Sequence, residues 1–493
     1  MNLQDLYSIS PQMCMIALSM LLILYDLFVG KNSLLRPIAF IGLFGIFVLN
    51  LFLWLNIDLG KSTYSFTNSF VLDEFGLFFN SFFIVAVIFI IYISKDYIES
   101  SKAKSEYYSL ILFSATGMML LTSSVELISF YIALELTTLP VVALVAFNRN
   151  NESSESGAKF LILSGISSAF LLYGMVIFFG YTGSTLFKDI AISISQTSIL
   201  NEKALVLGSI LLISGFAFKI SAAPFHMWSP DVYNGAPIPI TSYLAIASKV
   251  AGFGIFLRMI YSIFHTNSIL IQNWSDILIA LSILSMFLGN LIAIRQVNIK
   301  RLIAYSSISH TGFILVGIIS LLVLISDKGI GNSLNSASSV IFYILGYAIT
   351  NFTLFTTVII ITNNIKSNLI EDFSGISKRS PLLAFTLSIV MISLIGLPPT
   401  VGFFSKAYIF NAAISADLIW LMLFGLINTA ISAYYYLRIV KIVYLEDPIS
   451  NLSIKITMSQ RILIIFTLIG VLIFGIFPRP LIDLSYTVVN ILV

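Results

Sequence analysis

One cysteine, Cys14, stands in a chain of 493 residues. That count excludes an intrachain disulfide and a thiolate-built metal or iron–sulfur centre. Histidine is almost as scarce, with three, and Asp, Glu, Lys and Arg together make up 10% of the chain, against about a quarter in water-soluble domains. There is too little polar side chain to coat a water-soluble globule of this length. The net charge of +3, on 26 basic and 23 acidic residues, lacks the clustered excess that nucleic-acid binding requires, and nucleic acid is excluded as a partner. A phosphate-cradling glycine loop, a CxxC pair and a nucleophile with a neighbouring base are all missing. Redox cofactors are therefore expected in partner chains, with none bound by this one, and ion movement is the chemistry left to it.

What the chain has in abundance is apolar side chain, 58% of it. Fourteen stretches, from residues 12–30 to 460–478, are apolar over about the 20 residues that a helix needs to cross the hydrocarbon of a bilayer. They are uniformly apolar, without the alternation of a membrane β-barrel. An all-α polytopic membrane protein is expected, its first helix retained rather than cleaved, because the start MNLQDLYSISPQ carries no Lys or Arg. Loops after odd-numbered stretches hold sixteen Lys and Arg and the other loops hold five. By the preference of basic loops for the cytoplasm, both termini are expected on the outer side.

Proline interrupts two stretches alike: Pro224 in SGFAFKISAAPFHMW, and Pro398 with Pro399 in SLIGLPPTVGFFSKAYIF. Each proline removes a donor and collides with the carbonyl one turn back, which predicts two discontinuous helices. The breaks fall in the fourth helix of each of two five-helix blocks, 107–263 and 276–444, flanked by helices 1–3 over residues 1–106 and a last helix over 445–493. Five is odd, so the second block starts from the opposite face: an inverted-topology repeat, whose broken helices line a polar site near mid-membrane.

Charged side chains inside such helices are costly and mark ion paths. Glu135 lies mid-stretch in YIALELTTLP, Lys219 precedes the first break, Lys249 is central in PIPITSYLAIASKVAGF, and Lys406 follows the second break. His310 falls about two turns into its stretch, and Lys159 opens another. Desolvation makes an ammonium release its proton more readily and a nearby carboxylate opposes that, so a Glu–Lys pair can act as a switch, with histidine as an intermediate relay. Duller readings stand beside these. Glu135 and a lysine can form a static pair, Lys159 and Arg258 can snorkel to the interface, Asp26 and Glu126 can cap helix ends, and His310 can be a packing residue. The aromatics read as lipid-facing or interfacial rings.

The segment from Lys219 to Lys249, KISAAPFHMWSPDVYNGAPIPITSYLAIASK, resembles the central motif of the antiporter-like membrane subunits of respiratory complex I. PDVYNGAP is similar to the N-type subunit; the M and L types and cation/proton antiporter subunits usually read PDAH followed by EAPTP. SVELISFYIALELTTLPVVALVAF, RLIAYSSISHTGF and GLPPTVGFFSKAYIF extend the resemblance over essentially the whole chain. It implies a proton-translocating subunit of NADH:quinone oxidoreductase without redox catalysis of its own. FMN, iron–sulfur clusters and quinone belong to the holo-complex, and the other membrane subunits, the peripheral arm and the bilayer are its partners. By the same resemblance Glu135 with Lys219 forms the switch pair, Lys249 is the central relay, Lys406 the exit-side site, and Lys159 matches the family's helix-six lysine. A bacterial inner membrane is implied, with the mitochondrial inner or thylakoid membrane as alternatives. The competing functions are a cation/proton antiporter subunit, a ferredoxin-linked relative, or a solute transporter, which would want amide and aromatic ligands at the breaks where this sequence has lysines.

Overall fold

The computed structural model describes residues 3–30, 33–57, 62–99, 101–195, 199–264, 269–449 and 453–492. Lys31 and Lys61, both counted in the charge asymmetry, lie outside them. The described chain is almost entirely helical, with one two-stranded hairpin pairing Thr63–Ser65 with Phe70–Leu72. Eleven of its helices are long and apolar enough to cross a membrane. The other three apolar stretches fall on Lys104–Ser123, on Ile199–Lys219, and on the pair Pro381–Ile395 and Val401–Ser415.

Local chemistry explains many helix ends. Asp73 and Glu126 accept from Gly76 N and Ser129 N and so satisfy first-turn donors of Glu74–Ile93 and Leu127–Val145. Glu126 is thus a cap, as its position at a stretch end suggests; Asp26 accepts from Ser105 Oγ at 2.6 Å. Pro381 opens a helix at the position where a missing N–H costs nothing, and Gly396, at φ 89°, closes it. Both proline breaks are present: Ile199–Lys219 stops and the chain resumes helically at Trp228–Gly235, while Pro381–Ile395 resumes at Val401–Ser415. The Ala223–Pro224 and Pro398–Pro399 peptides are cis.

Two compact units divide the chain. The first comprises residues 1–220, 235–274 and 488–493, the second 221–234 and 275–487. Within the first, Ile238–Ile263 is the central helix, 94% of its apolar window being buried, and it carries Lys249. A five-residue π turn, Leu244–Ser248, immediately precedes that lysine. Ser10–Val29, Leu35–Asn56 and Asn151–Thr182 are peripheral, with a third or less of theirs buried. In the second unit Ile299–Lys328 and Ile330–Ile365 are the central helices, 94% and 89% buried, and the first of them carries His310. Ile419–Leu445 and Met458–Ile476 present exposed Leu, Ile and Phe, the surface that lipid solvates. The aromatics divide accordingly. Many rings are outward, but Tyr107, Tyr233, Tyr243, Tyr343, Tyr435 and Tyr436 are fully buried. The expectation that aromatic residues are lipid-facing or interfacial fails for these, because each phenol finds polar surroundings in the helix interior.

Arg258 also departs from expectation. It does not snorkel: it is 3% exposed and forms a two-point pair with Asp73, at 2.7 and 2.8 Å, while its Nε donates to Thr122 O and its guanidinium lies over the Phe75 ring. Three partners on two segments satisfy the charge inside the first unit, which leaves it no reason to reach for water.

Candidate functional site

The residues expected to handle protons form two sets, one in each unit. In the first, Glu135 lies two turns into Leu127–Val145 and is half-buried, and Ser168 of Asn151–Thr182 donates its hydroxyl to Oε1. The neighbouring helix comes close because Gly117 has no side chain; a Cβ there would lie 2.5 Å from Thr137 N. Lys219 is the last residue of Ile199–Lys219, at the end where helix carbonyls lack donors and a positive charge is favoured. It sits in the electrostatic field of Glu135, yet the described salt bridges do not join the two directly. Lys249, 4% exposed, follows the π turn. Such turns are frequent at functional positions.

Lys159 belongs to a different environment. It pairs with Glu155 at 2.8 Å, four residues earlier on the same helix, with side chains 45% and 66% exposed. This is a helix-surface pair, set apart from the Ser168–Glu135 contact.

Among the described residues, the site of the second unit has no carboxylate. His310 is 6% exposed, and its Nδ1 lies 2.6 Å from Tyr343 Oη and its Nε2 3.3 Å from Tyr436 Oη. Lys406, 5% exposed, donates to the Ile395 carbonyl at 2.8 Å and to Thr429 Oγ1 at 3.3 Å, with its ammonium 4.5 Å from the centre of the Phe313 ring. Ile395 is the last residue of the half-helix that ends at the break, so Lys406, on the next half-helix, supplies a donor to one of its orphan carbonyls. Gly402 makes that approach possible: a Cβ there would stand 1.8 Å from Ser393 O.

His310 and Lys406 line one cavity of about 10 Å³ together with Tyr343, Tyr347, Thr350, Ser393 and Ser405. That volume is close to the least that holds a single water, and hydroxyls surround it. The structure therefore brings His310 and Lys406 to one polar cavity and Glu135 and Lys219 into one field. The tyrosine and serine hydroxyls were not singled out from the sequence. A usable signal existed in the spacing of Tyr343 and Tyr347, which places both on one helix face. Among the described residues no group of His, Cys, Asp and Glu is arranged to hold a metal ion.

Residues 124–432 match the protein family described as NADH:quinone oxidoreductase/Mrp antiporter, transmembrane region. NADH-quinone oxidoreductase subunit N of Dehalococcoides mccartyi is 37% identical over 96% of this chain and 97% of that protein. Its counterpart of the same name in Trichlorobacter lovleyi is 35% identical over 99% and 98%. Among solved structures, a chain of respiratory complex I from Thermus thermophilus with bound aureothin aligns with TM-score 0.79 and 26% identity over 96% of this chain and 98% of that one. A chain of the membrane-bound sulfane sulfur reductase, an archaeal respiratory membrane complex, shares the fold, with TM-score 0.85 and 24% identity over 98% of both.

Proposed function

The chain belongs to the NADH:quinone oxidoreductase/Mrp antiporter membrane family, and from that premise we propose that it is the N-type proton-translocating subunit of an NADH–quinone oxidoreductase. Its two polar sites carry protons while other subunits carry electrons. The observation that carries this reading is the joint cavity of His310 and Lys406, where a buried imidazole and a buried ammonium face the same water-sized space. Groups that can lose a proton without leaving the protein interior are what a transmembrane proton path needs.

The residues take the following roles. Glu135 and Lys219 form the switch: strengthening or weakening their interaction changes whether the ammonium keeps its proton. Lys249 is the relay of the first unit. His310 and Lys406 serve the second, with Lys406 as the site from which the proton leaves outward. Lys159, with its Glu155 pair on an exposed face, supports the role only from the family's side. Fourteen spans in two inverted five-helix repeats, with both termini outside a bacterial inner membrane, complete the reading. FMN, iron–sulfur clusters and quinone belong to the partner subunits, namely the M- and L-type membrane subunits, the small membrane subunits and the peripheral arm. The complex is a translocase, and this chain carries no redox chemistry.

A cation/proton antiporter subunit is the second reading, since the family includes such proteins. PDVYNGAP and relatives named subunit N over nearly their full length favour the first. Purification in mild detergent decides between them: co-purifying flavin and iron–sulfur absorbance with NADH-driven proton uptake in vesicles is expected, and cation/proton exchange by a flavin-free assembly would overturn it. For orientation, a cysteine placed between residues 101 and 104 should react only with reagents that reach the cytoplasm, and one at residues 185–195 only from outside; reversed labelling would overturn the topology.

A further inference from the structure

His310 is held between two phenols from different helices, Tyr343 of Leu334–Ile365 and Tyr436 of Ile419–Leu445. A neutral imidazole has one donor and one acceptor nitrogen, and its partners decide which is which. The two phenols are not equivalent. Tyr343 lines the cavity that contains Lys406. Tyr436 instead meets Ser306 Oγ at 2.5 Å, one helical turn before His310, so its oxygen bridges two successive turns of Ile299–Lys328.

Tyr436 is itself fixed by groups that touch neither His310 nor the cavity. Its ring centre lies 4.3 Å from that of Tyr435. Tyr435 donates its hydroxyl to Asn290 Oδ1 at 2.9 Å, and Asn290 Nδ2 donates to Asn428 Oδ1 at 3.1 Å and to Asn428 O at 3.0 Å. Both tyrosines are 1% exposed and both asparagines 0%. An amide oxygen can only accept, so the Tyr435 hydroxyl is locked in direction and its ring in place. Packing a core needs neither this locked pair nor a phenol oxygen shared between a serine and an imidazole.

We propose that Tyr436 is a positioning residue for His310: by holding Nε2 it turns Nδ1, through Tyr343, toward the cavity at Lys406, and Tyr435, Asn290 and Asn428 clamp it in that pose. The proposal rests on the reading of His310 and Lys406 as proton-handling groups. Other titratable groups around this site are Tyr343 and Tyr347 on Leu334–Ile365, Lys406 on Val401–Ser415, and Tyr435 beside Tyr436.

Tyr436→Phe removes one oxygen and keeps the ring packed against Tyr435. In vesicles containing the intact complex, the amount of assembled enzyme should equal wild type while NADH:quinone kcat falls about tenfold, less than the roughly hundredfold or more expected for removing a proton-transfer group itself. KM for NADH and quinone should be unchanged and the solvent deuterium isotope effect on turnover should rise, neither of which a packing defect produces. Ser306→Ala should give the same pattern with a smaller loss, and it carries the test if Tyr436→Phe does not assemble. Wild-type kcat and isotope effect, or a change in KM alone, would overturn the positioning role. His310→Ala separates the two levels: loss of turnover there with none in Tyr436→Phe removes this inference only, whereas full turnover and pumping in His310→Ala removes the reading of the site itself.

Discussion

The two units compensate a buried ammonium in different ways. In the first, the group opposite Lys219 is a carboxyl, Glu135, carried on another helix and joined to it by no salt bridge among the described residues. In the second, Lys406 is balanced at contact distance by a backbone carbonyl, a threonine hydroxyl and a ring face, with no carboxylate in salt-bridge range among the described residues. The first arrangement can be altered by moving one charge relative to the other. The second is tied to the geometry of a helix break. One arrangement is thus sensitive to the distance between two side chains and the other to backbone shape.

The sharpest way to break the comparison is to remove a charge pair that is purely structural. Arg258→Met strands Asp73 in the interior of the first unit, which costs about 3–5 kcal/mol and should reduce the chain recovered in assembled complex to a small fraction, as read by immunodetection in membranes. Recovery at wild-type level would show that the pair contributes little. Next in size is Lys406→Met, which keeps an apolar stem and loses the ammonium. NADH:quinone turnover and proton uptake should both fall by about a hundredfold or more, the low end of the contribution of a positioned proton-transfer group, with the complex intact. Lys406→Arg should be nearly as damaging, because guanidinium does not give up its proton. Wild-type rates in both variants would leave Lys406 as a helix-packing residue.

Glu135→Gln is expected to be milder. Size and the Ser168 contact are kept, the negative charge is lost, and pumping should drop severalfold while assembly survives. Failure of the folded complex in both Glu135→Gln and Lys219→Met would make the pair structural instead. The smallest effect lies outside the membrane. Lys378 donates to Asp447 at 2.8 Å, and that hydrogen bond holds the Asp447 carboxyl below its ordinary value. A depressed carboxyl contributes stability above its unfolded value and loses it as pH falls through the lower folded one, so Asp447→Asn should differ from wild type at neutral pH, and the difference should shrink only as pH falls below about 3.9, the unperturbed carboxyl value. Thermal unfolding of the detergent-solubilised complex at the two pH values checks this; a difference that grows on acidification would contradict it.

Much of the fold was legible because proline and apolar length act locally. Pro224 and Pro398–Pro399 end helices for reasons contained in a few residues, and Glu126 sits where a cap belongs. The anomalous charges Lys249 and Lys406 were legible because hydrocarbon makes them expensive wherever the chain folds. The Asp73–Arg258 pair was not, since 185 residues separate its members and nothing local distinguishes a paired arginine from a snorkelling one. The tyrosine hydroxyls were hidden for a similar reason: a phenol is equally at home at a membrane interface and in a polar interior, and only the neighbours supplied by other helices decide. The π turn before Lys249 leaves no compositional trace at all.

The bond from Lys406 to the Ile395 carbonyl means that the peptide backbone reads the charge on one side chain. A charged donor makes a hydrogen bond worth about 1.5–3 kcal/mol, a neutral one about 0.5–1.5. A neutral amine in place of the ammonium would therefore hold the end of that half-helix about 1 kcal/mol less firmly, roughly a factor of five in an equilibrium that breaks the bond. The stiffness of the joint between two rods is in this way set by the charge of one side chain.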